Sequence, residues 1–451
     1  MLRHCSLALA ITIFSLTIAD IRPASMTYAE NNAVAAEEKF DSPRLAALAK
    51  ELKAGNRAAL EAFWRELKDK APLVEPVVGD EKRLWVTYVW RGDNDAKRVD
   101  VIGGAPTGDE FAKPLARLSD TDLWYRTERL PNDARFTYTF VVNRVKPAPG
   151  DKDARRKFLA QRRRDPFNPR PFLSPPTSAI VELPAAPPQP WIKRLPDAPQ
   201  GEVKSQKIKS EILKEERVIR VYTPPGYDPK AKPYGLLIYF DGEVVPLIVP
   251  LPTILDNLIA KEKIPPMVAV MVNSQTTRER DLACSGPFAD FLAKELVTWV
   301  RGNFNVNADP NQTVVSGFSL GGLAAAYCGL RHPEVFGNVL SQSGSFWYFD
   351  GWKQGADPFE RDFFTDSGWL TRQFAKSRPL PLRFFMEVGM LEQGVPINMV
   401  LENRRLRDVL VAKGYPVIYS EYNGGHDLIC WRGSLADGLI ELVGKQKEKQ
   451  P

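Results

Sequence analysis

The pentapeptide Gly-Phe-Ser-Leu-Gly at residues 317–321 fits the G-x-S-x-G pattern of a nucleophile elbow. An apolar run at Thr313–Ser316 predicts a strand before it, and an Ala-rich run at Leu323–Leu330 predicts a helix after it. Ser319 would therefore lie at a strand-to-helix turn, where glycines permit tight backbone geometry and the helix N-terminus supplies N–H donors. The pattern predicts Ser319 as the nucleophile of an acyl-transfer reaction.

A serine nucleophile needs a base, normally histidine, and the chain has three histidines. His4 lies in the N-terminal leader, and His332 follows Ser319 on the same predicted helix, about 20 Å away at roughly 1.5 Å per residue. His426 remains, in an Asn-Gly-Gly-His-Asp loop between a predicted strand at Val417–Tyr422 and a closing helix. We expect His426 to be the base.

The third member of such a site is a carboxylate placed between the serine and the histidine in chain order. Glu392 meets this best, because it follows directly on a predicted strand ending at Val388. Glu387 lies inside that strand, and Asp427 is adjacent to the histidine and badly placed for its far nitrogen. Glu392 is the preferred acid, with Glu387 and a bare Ser-His dyad as open alternatives.

An oxyanion hole requires two N–H groups aimed at the developing charge. The residue after the nucleophile, Leu320, supplies the first. The second is expected from Gly242, in the loop after the predicted strand Leu236–Phe240, where glycine permits close approach of the substrate. Asp241 beside it is either part of this loop's chemistry or only a turn former.

The elements that must position these residues fill two domains, since 451 residues exceed one ordinary domain. A charged start and the apolar run Leu7–Ile18, which is itself too short to span a bilayer, predict a signal peptide at residues 1–29, with an uncleaved anchor as the alternative. Residues 36–165 begin with helical periodicity between Pro43 and Lys70. Four β-branched and aromatic runs follow without intervening helices, which predicts a β-sandwich: Leu84–Trp90, Val99–Ile102, Leu123–Thr127 and Phe136–Val142.

Crowded prolines at residues 166–200 predict a linker, because proline sustains neither helix nor sheet ladders. In residues 201–445 continuous apolar strands alternate with helical stretches. That pattern predicts the doubly wound, mainly parallel sheet of an α/β-hydrolase.

Net charge, metal-ligating residue types and cysteine count bear on which classes of function and site are expected. The net charge of +6 is mild for this length, and the basic run Lys152–Arg164 is better explained as a solvated face than as a nucleic-acid site. With three histidines and no Cys-x-x-Cys pair, no protein-held metal site is expected. Export would leave Cys284, Cys328 and Cys430, of which Cys284 and Cys430 either pair across the site or stay reduced.

The chain resembles the enterochelin esterase family over almost its whole length beyond the leader. The motifs that carry the resemblance are the following: Ala71–Pro76, Val86–Arg91, Thr121–Thr127, Asp165–Pro169, Tyr239–Glu243, Thr277–Leu282, Gly317–Gly322, Leu340–Ser345 and Gly424–Asp427. The resemblance implies an immunoglobulin-like first domain, a serine esterase second domain and a catecholate siderophore trilactone as substrate, with any iron carried by that substrate. The chain departs from the family in its export signal and in Glu243, where relatives often have Gln.

Such a ferric substrate is a bulky trianion, so cations are expected near the nucleophile. Arg278 and Arg280, in a loop after the predicted strand Met267–Val272, are the candidates, and pairing with Glu279 or Asp281 is the alternative explanation. We therefore expect a periplasmic or otherwise exported serine esterase that binds no nucleic acid and is not stably inserted in a membrane after cleavage of its leader. An esterase for another acyl or carbohydrate ester is the second hypothesis, and a binding protein without catalysis the third.

Overall fold

The computed structural model describes residues 40–103, 112–145, 153–172, 177–274, 276–352, 368–394 and 397–444. The predicted signal peptide, residues 1–29, lies outside them. From Asp41 onward the described residues belong to one compact unit.

Two short helices open this unit, α1 (Pro43–Lys53) and α2 (Ala58–Leu67). Between them Gly55 has a φ of +89°, a conformation that suits glycine and separates the two helices. Trp64 of α2 stacks on Phe167, with ring centroids 5.1 Å apart. The helices are thereby packed against the region that follows.

Two antiparallel sheets follow the helices, one of four strands and one of six. The first has the order β1-β2-β6-β5; the second has the order β4-β3-β7-β10-β9, with β8 on β7. Their strands are β1 (Leu73–Val77), β2 (Asp80–Arg91), β3 (Val99–Gly103), β4 (Lys113–Pro114), β5 (Ala116–Arg117), β6 (Leu123–Pro131), β7 (Arg135–Val142), β8 (Arg162–Arg163), β9 (Pro171–Phe172) and β10 (Ser178–Glu182). A short helix, α3 (Ala154–Ala160), precedes β8. The four predicted strand runs lie in β2, β3, β6 and β7.

The two sheets share one hydrophobic cluster, which contains Val86 and Tyr88 of the first sheet and Phe136 and Tyr138 of the second. The rings of Tyr88 and Tyr138 lie 5.1 Å apart across it. Alternating inward side chains thus join the sheets, as the period-two pattern of the strands indicates.

The boundary predicted between the first domain and a linker at residues 166–200 is wrong. Strands β9 and β10 fall inside that range and belong to the six-stranded sheet. Pro171 is accommodated because β9 is an edge strand, where a missing N–H breaks no ladder. The later part of the range is also fixed to the fold, because the Asn257 side chain donates to the carbonyls of Trp191 and Lys193 at 2.9 and 2.8 Å.

The second half contains one eight-stranded sheet of order β11-β12-β14-β13-β15-β16-β17-β18. Strands β11 and β12 are antiparallel to their neighbours, and the other six are parallel. The strands are β11 (Glu202–Ser210), β12 (Glu215–Thr223), β13 (Gly235–Tyr239), β14 (Met267–Val272), β15 (Thr313–Phe318), β16 (Asn338–Gln342), β17 (Arg383–Gly389) and β18 (Val417–Tyr422). The mainly parallel sheet matches the sequence prediction.

Helices cover the sheet between strands. They are α4 (Leu251–Ala260), α5 (Arg278–Leu282), α6 (Gly286–Asp290), α7 (Val297–Asn303), α8 (Leu320–Arg331), α9 (Trp369–Lys376), α10 (Met399–Ala412) and α11 (Leu428–Val443). A π-helical segment, Phe291–Leu296, joins α6 to α7. Among the described helices, each is too short or too polar to cross a lipid bilayer.

Cys284 and Cys430 do not pair, and Cys328 is also a free thiol. Cys430 is buried in one hydrophobic cluster and donates to the carbonyl of Arg135 at 3.1 Å, whereas Cys284 packs against a different cluster. The alternative of reduced cysteines is therefore the one that the fold adopts.

Alkylation of the unreduced, unfolded protein should convert Cys284, Cys328 and Cys430 each to a single adduct, as read by peptide mass spectrometry. In the folded protein the same reaction should be slow, because burial raises the pKa of each thiol and the thiolate is the reactive form. A peptide containing Cys284 linked to Cys430 would contradict this arrangement.

Candidate active site

Ser319 occupies the turn between β15 and α8, as the elbow pattern predicts. Its backbone has φ 58° and ψ −122°, a region that costs of order 1–3 kcal/mol for a residue with a side chain. Two backbone hydrogen bonds hold it there: its N–H donates to Gln342 at 2.9 Å, and its carbonyl accepts from Ser345 at 3.0 Å. This strained strand-to-helix turn is the geometry by which a nucleophile elbow presents the serine hydroxyl at the end of the sheet.

Gly317 is required for this turn. A Cβ at this position would lie 2.6 Å from the carbonyl carbon of Gly321, closer than real contacts allow. Only glycine lets the end of β15 and the first turn of α8 approach each other. The two outer glycines of the motif therefore pack directly together under the nucleophile.

His426 lies in the loop between β18 and α11, and its Nε2 is 2.9 Å from the Ser319 hydroxyl oxygen. The imidazole packs edge-on against Trp431, with ring centroids 4.7 Å apart. The distance is within the range in which a general base takes a proton from a hydroxyl. His332, by contrast, caps the C-terminal end of α8 and contacts Asp290 and Glu334.

Glu392 provides the carboxylate. Its Oε2 lies 2.7 Å from His426 Nδ1, and its side chain has no exposure to solvent. The other oxygen, Oε1, accepts from the Ser343 hydroxyl at 2.6 Å and from the Gly389 amide at 2.8 Å. A carboxylate at Nδ1 keeps the proton on that nitrogen and leaves Nε2 free to accept from the serine.

The loop that carries Glu392 continues the ladder between β17 and β18. The amides of Met390 and Leu391 donate to the carbonyls of Tyr422 and Gly424 at 2.8 and 3.0 Å. A Cβ on Gly389 would lie 2.4 Å from the Gly424 carbonyl oxygen. The acid loop and the histidine loop are thus joined through their backbones.

The two other candidate acids have different partners. Glu387 is buried in β17 and accepts from Gln342 and Ser434 at 3.0 and 2.5 Å, and burial raises its pKa to about 8. Asp427 accepts from Thr137 and caps α11. Of the three carboxylates, Glu392 is the one in contact with His426.

The two amides predicted for the oxyanion hole lie at the ends of neighbouring strands. Leu320 is the first residue of α8, and Gly242 is the first residue of a 3-10 turn, Gly242–Val244, after β13. Amides at such N-terminal positions have no acceptor within their own helix. The loop after β13 is tied to β15 by a 3.0 Å bond from the Phe240 amide to the Ser316 carbonyl.

Arg278 lies beside this loop. Its Nε and Nη2 donate to the two carboxylate oxygens of Asp241, each at 2.8 Å, and its guanidinium lies 5.8 Å from the ring centroid of Phe318. Asp241 also accepts from the Ser274 hydroxyl at 2.8 Å. Asp241 is therefore more than a turn former: its carboxylate links the loop to Arg278.

Arg280 does not face this site. Its guanidinium donates to Glu215 at 2.6 Å and to Asp281 at 2.9 Å, and the side chain is 54% exposed. Its predicted role in substrate binding is not supported by this position; pairing with Asp281, the alternative, is what the structure shows.

Several residues of the site were not found from the sequence. Ser343 lies between Glu392 and the Trp431 indole, from which it accepts at 3.1 Å. Arg220 donates to the Gly242 carbonyl from β12. Ser343 falls in the Leu340–Ser345 motif of the resemblance, and the clue to its role was its place just after the short apolar run Val339–Leu340, because parallel strands end near one another. Within the described residues no cluster of His, Cys, Asp or Glu side chains is placed to hold a metal ion.

The comparisons with known proteins divide the chain as the fold does. Residues 210–442 match a family described as putative esterase, and residues 85–192 match one described as the N-terminal region of enterochelin esterase. An iron(III) enterobactin esterase of Escherichia coli is 32% identical over 80% of this chain and 92% of its own length. An iron(III) salmochelin esterase of the same species is 28% identical over 89% of this chain and 98% of its own.

Solved structures agree with these relatives. The crystal structure of ferric enterobactin esterase from Salmonella typhimurium has a TM-score of 0.68 and 27% identity, covering 85% of this chain and 98% of that one. The enterobactin esterase from Shigella flexneri in the presence of enterobactin has a TM-score of 0.65 and 30% identity, covering 85% of this chain and 97% of that one.

Replacing Glu392 with Gln should lower kcat for a simple ester by about 10²- to 10⁴-fold, because an amide no longer fixes the histidine tautomer. Glu387→Gln is the matched control, since its partners are Gln342 and Ser434 rather than His426, and kcat should stay within about threefold of wild type. Steady-state kinetics on the folded variants measures kcat. Equal losses of kcat in the two variants would contradict the assignment of Glu392 as the acid that orients His426.

Proposed function

The chain belongs to the enterochelin esterase family, and on that basis we propose that it is a serine esterase that hydrolyses the trilactone backbone of a ferric catecholate siderophore. The observation that carries the proposal is the hydrogen-bonded line from Ser319 through His426 to Glu392, found in a chain of this family. The relatives named above are esterases of iron(III) enterobactin and iron(III) salmochelin.

In the first step Ser319 Oγ attacks a lactone carbonyl while His426 Nε2 takes its proton. Glu392 holds the imidazole through Nδ1 and stabilises the imidazolium that forms. The tetrahedral oxyanion is bound by the amides of Leu320 and Gly242. Collapse of this intermediate breaks the ester C–O bond, and the leaving alkoxide receives the proton from His426.

Water then attacks the carbonyl of the acyl-enzyme while His426 takes its proton, and the same two amides bind the oxyanion. Collapse of this second intermediate releases Ser319 Oγ, which receives the proton back from His426. The products are a free carboxylate, a free hydroxyl and regenerated Ser319. This chemistry requires no cofactor from the protein, and iron enters the site as part of the substrate, held by its catecholates.

Arg278 supplies positive charge next to the nucleophile for the anionic substrate. Its guanidinium lies over Phe318, the residue before Ser319, and the side chain is 30% exposed even though Asp241 accepts from its Nε and Nη2. A planar guanidinium also stacks on aromatic rings such as a catechol.

The first half of the chain is proposed to be an immunoglobulin-like sandwich, a view supported by two antiparallel sheets with one shared core. The protein is further proposed to act in the periplasm or otherwise outside the cytoplasm. The support for that location is the charged and apolar pattern of residues 1–29.

Purified enzyme incubated with ferric and with iron-free trilactone should release linear products, which chromatography separates from the intact ring. Ser319→Ala and His426→Gln should each reduce the rate by about 10⁴-fold or more. His332→Gln is the matched control, because His332 contacts Asp290 and Glu334 away from the nucleophile, and it should retain activity. Intact trilactone after prolonged incubation with active, fluorophosphonate-reactive enzyme would refute the substrate while leaving the esterase in place.

Replacing Arg278 with Gln should lower kcat/KM for the ferric trilactone by about tenfold or more, and for a small neutral ester by clearly less. Arg280→Gln is the matched control, because Arg280 is bound to Glu215 and Asp281. It should leave kcat/KM for both substrates nearly unchanged. If Arg278→Gln lost kcat/KM equally on both substrates, the role of Arg278 would be only to hold Asp241 in place.

A further inference from the structure

The loop that carries His426 is fastened to strand β7 of the N-terminal sheets. The Arg135 amide donates to the Asn423 carbonyl at 3.0 Å, and Arg135 forms a parallel bridge with Gly424. The Asn423 side chain donates to Asp133 at 2.7 Å, just before β7 begins. One end of the histidine loop therefore continues a sheet that belongs to the other half of the chain.

The other end of the loop is held by Asp427, the residue after the histidine. Its Oδ2 accepts from the amide and from the hydroxyl of Thr137, at 2.6 and 2.5 Å. Its Oδ1 accepts from the Ile429 amide at 3.1 Å and so caps α11. One carboxylate thus joins β7 to the start of the helix that follows the base.

Strand β7 makes these bonds along one of its edges. Within the described residues β3 pairs with this edge only as far as Gly103 opposite Tyr138, and no described strand lies beside Arg135 and Thr137 there. On its other side β7 is paired with β10 from Arg135 to Tyr138. The histidine loop thus lies along the edge of a strand that is hydrogen-bonded to β10 on its other side.

We propose that Thr137 and Asp427 are positioning residues for His426, so that the N-terminal sheets help to assemble the catalytic base. The inference rests on the serine esterase part of the proposed function and is independent of the siderophore. Catalysis demands that Nε2 stay within hydrogen-bonding distance of Ser319, and displacement by about 1 Å can cost about 10²-fold in rate. Bonds on both sides of His426 restrain such displacement.

A purely structural role would look different. The bonds to Thr137 would then contribute to folding stability, but each folded molecule would keep its full activity. The two roles separate when kcat per folded active site and stability are measured on the same variants.

Thr137→Val removes the hydroxyl and keeps the shape and the amide. It should lower kcat for a small neutral ester, and the rate of Ser319 labelling by a fluorophosphonate, by about tenfold, with KM within about twofold of wild type. Thr137→Ser, which restores a hydroxyl, should recover most of the loss.

Thr139→Val is the matched control. Thr139 is on the same strand, and its hydroxyl oxygen lies within hydrogen-bonding distance of the carbonyls of Arg163 and Thr177, at 3.1 and 3.0 Å, inside the N-terminal sheets. Urea unfolding should show a loss of stability in this variant, while kcat per folded molecule stays at the wild-type value.

Asp427→Asn keeps a residue that caps helices well but replaces one acceptor oxygen by an amide. Combined with Thr137→Val it should add little further loss of kcat, because both changes break the same contact. The inference is overturned if folded Thr137→Val turns over at the wild-type rate, or if Thr139→Val loses as much kcat. Wild-type enzyme that neither reacts with fluorophosphonate nor hydrolyses any ester would instead refute the esterase itself.

Discussion

The carboxylate of Glu392 has no exposure to solvent, and a buried charge of this kind is tolerated only when donors surround it. Its three donors come from three different parts of the sheet: the Gly389 amide at the end of β17, the Ser343 hydroxyl after β16 and His426 after β18. The strands must therefore keep their relative register, or the charge loses a partner. Because the same carboxylate orients His426, the requirement to satisfy a buried charge also fixes the geometry of the base.

Much of this could be predicted from the sequence, because the informative residues are few and local. The elbow around Ser319 is recognisable from a strand, a glycine-flanked serine and an Ala-rich helix, and His426 remains when the other histidines are placed. The choice of Glu392 over Glu387 needed more, since both lie near the end of one strand. The two residues differ in position. Glu387 is inside β17 and contacts Gln342, whereas Glu392 lies after the strand, on the loop that is hydrogen-bonded to Gly424.

What escaped prediction depends on contacts between residues distant in the chain. The proline-rich range 166–200 looks like a linker by composition, yet its strands β9 and β10 complete a sheet that begins with β3, upstream at Val99. Arg280 and Arg278 are two residues apart, and only the position of Glu215 and Asp241 decides which of them lies at the elbow. No local pattern indicates that Thr137 meets Asp427.

Thr137 and Asp427 are separated by 290 residues, which gives their contact a consequence for biosynthesis. Strand β7 leaves the ribosome before the loop that carries the base, because Thr137 precedes Asp427 by 290 residues. Contacts between such distant segments form late, because a long loop must close before they contribute any stabilisation. The nascent chain can therefore form its N-terminal sheets and still lack a positioned base until the His426 loop has been made.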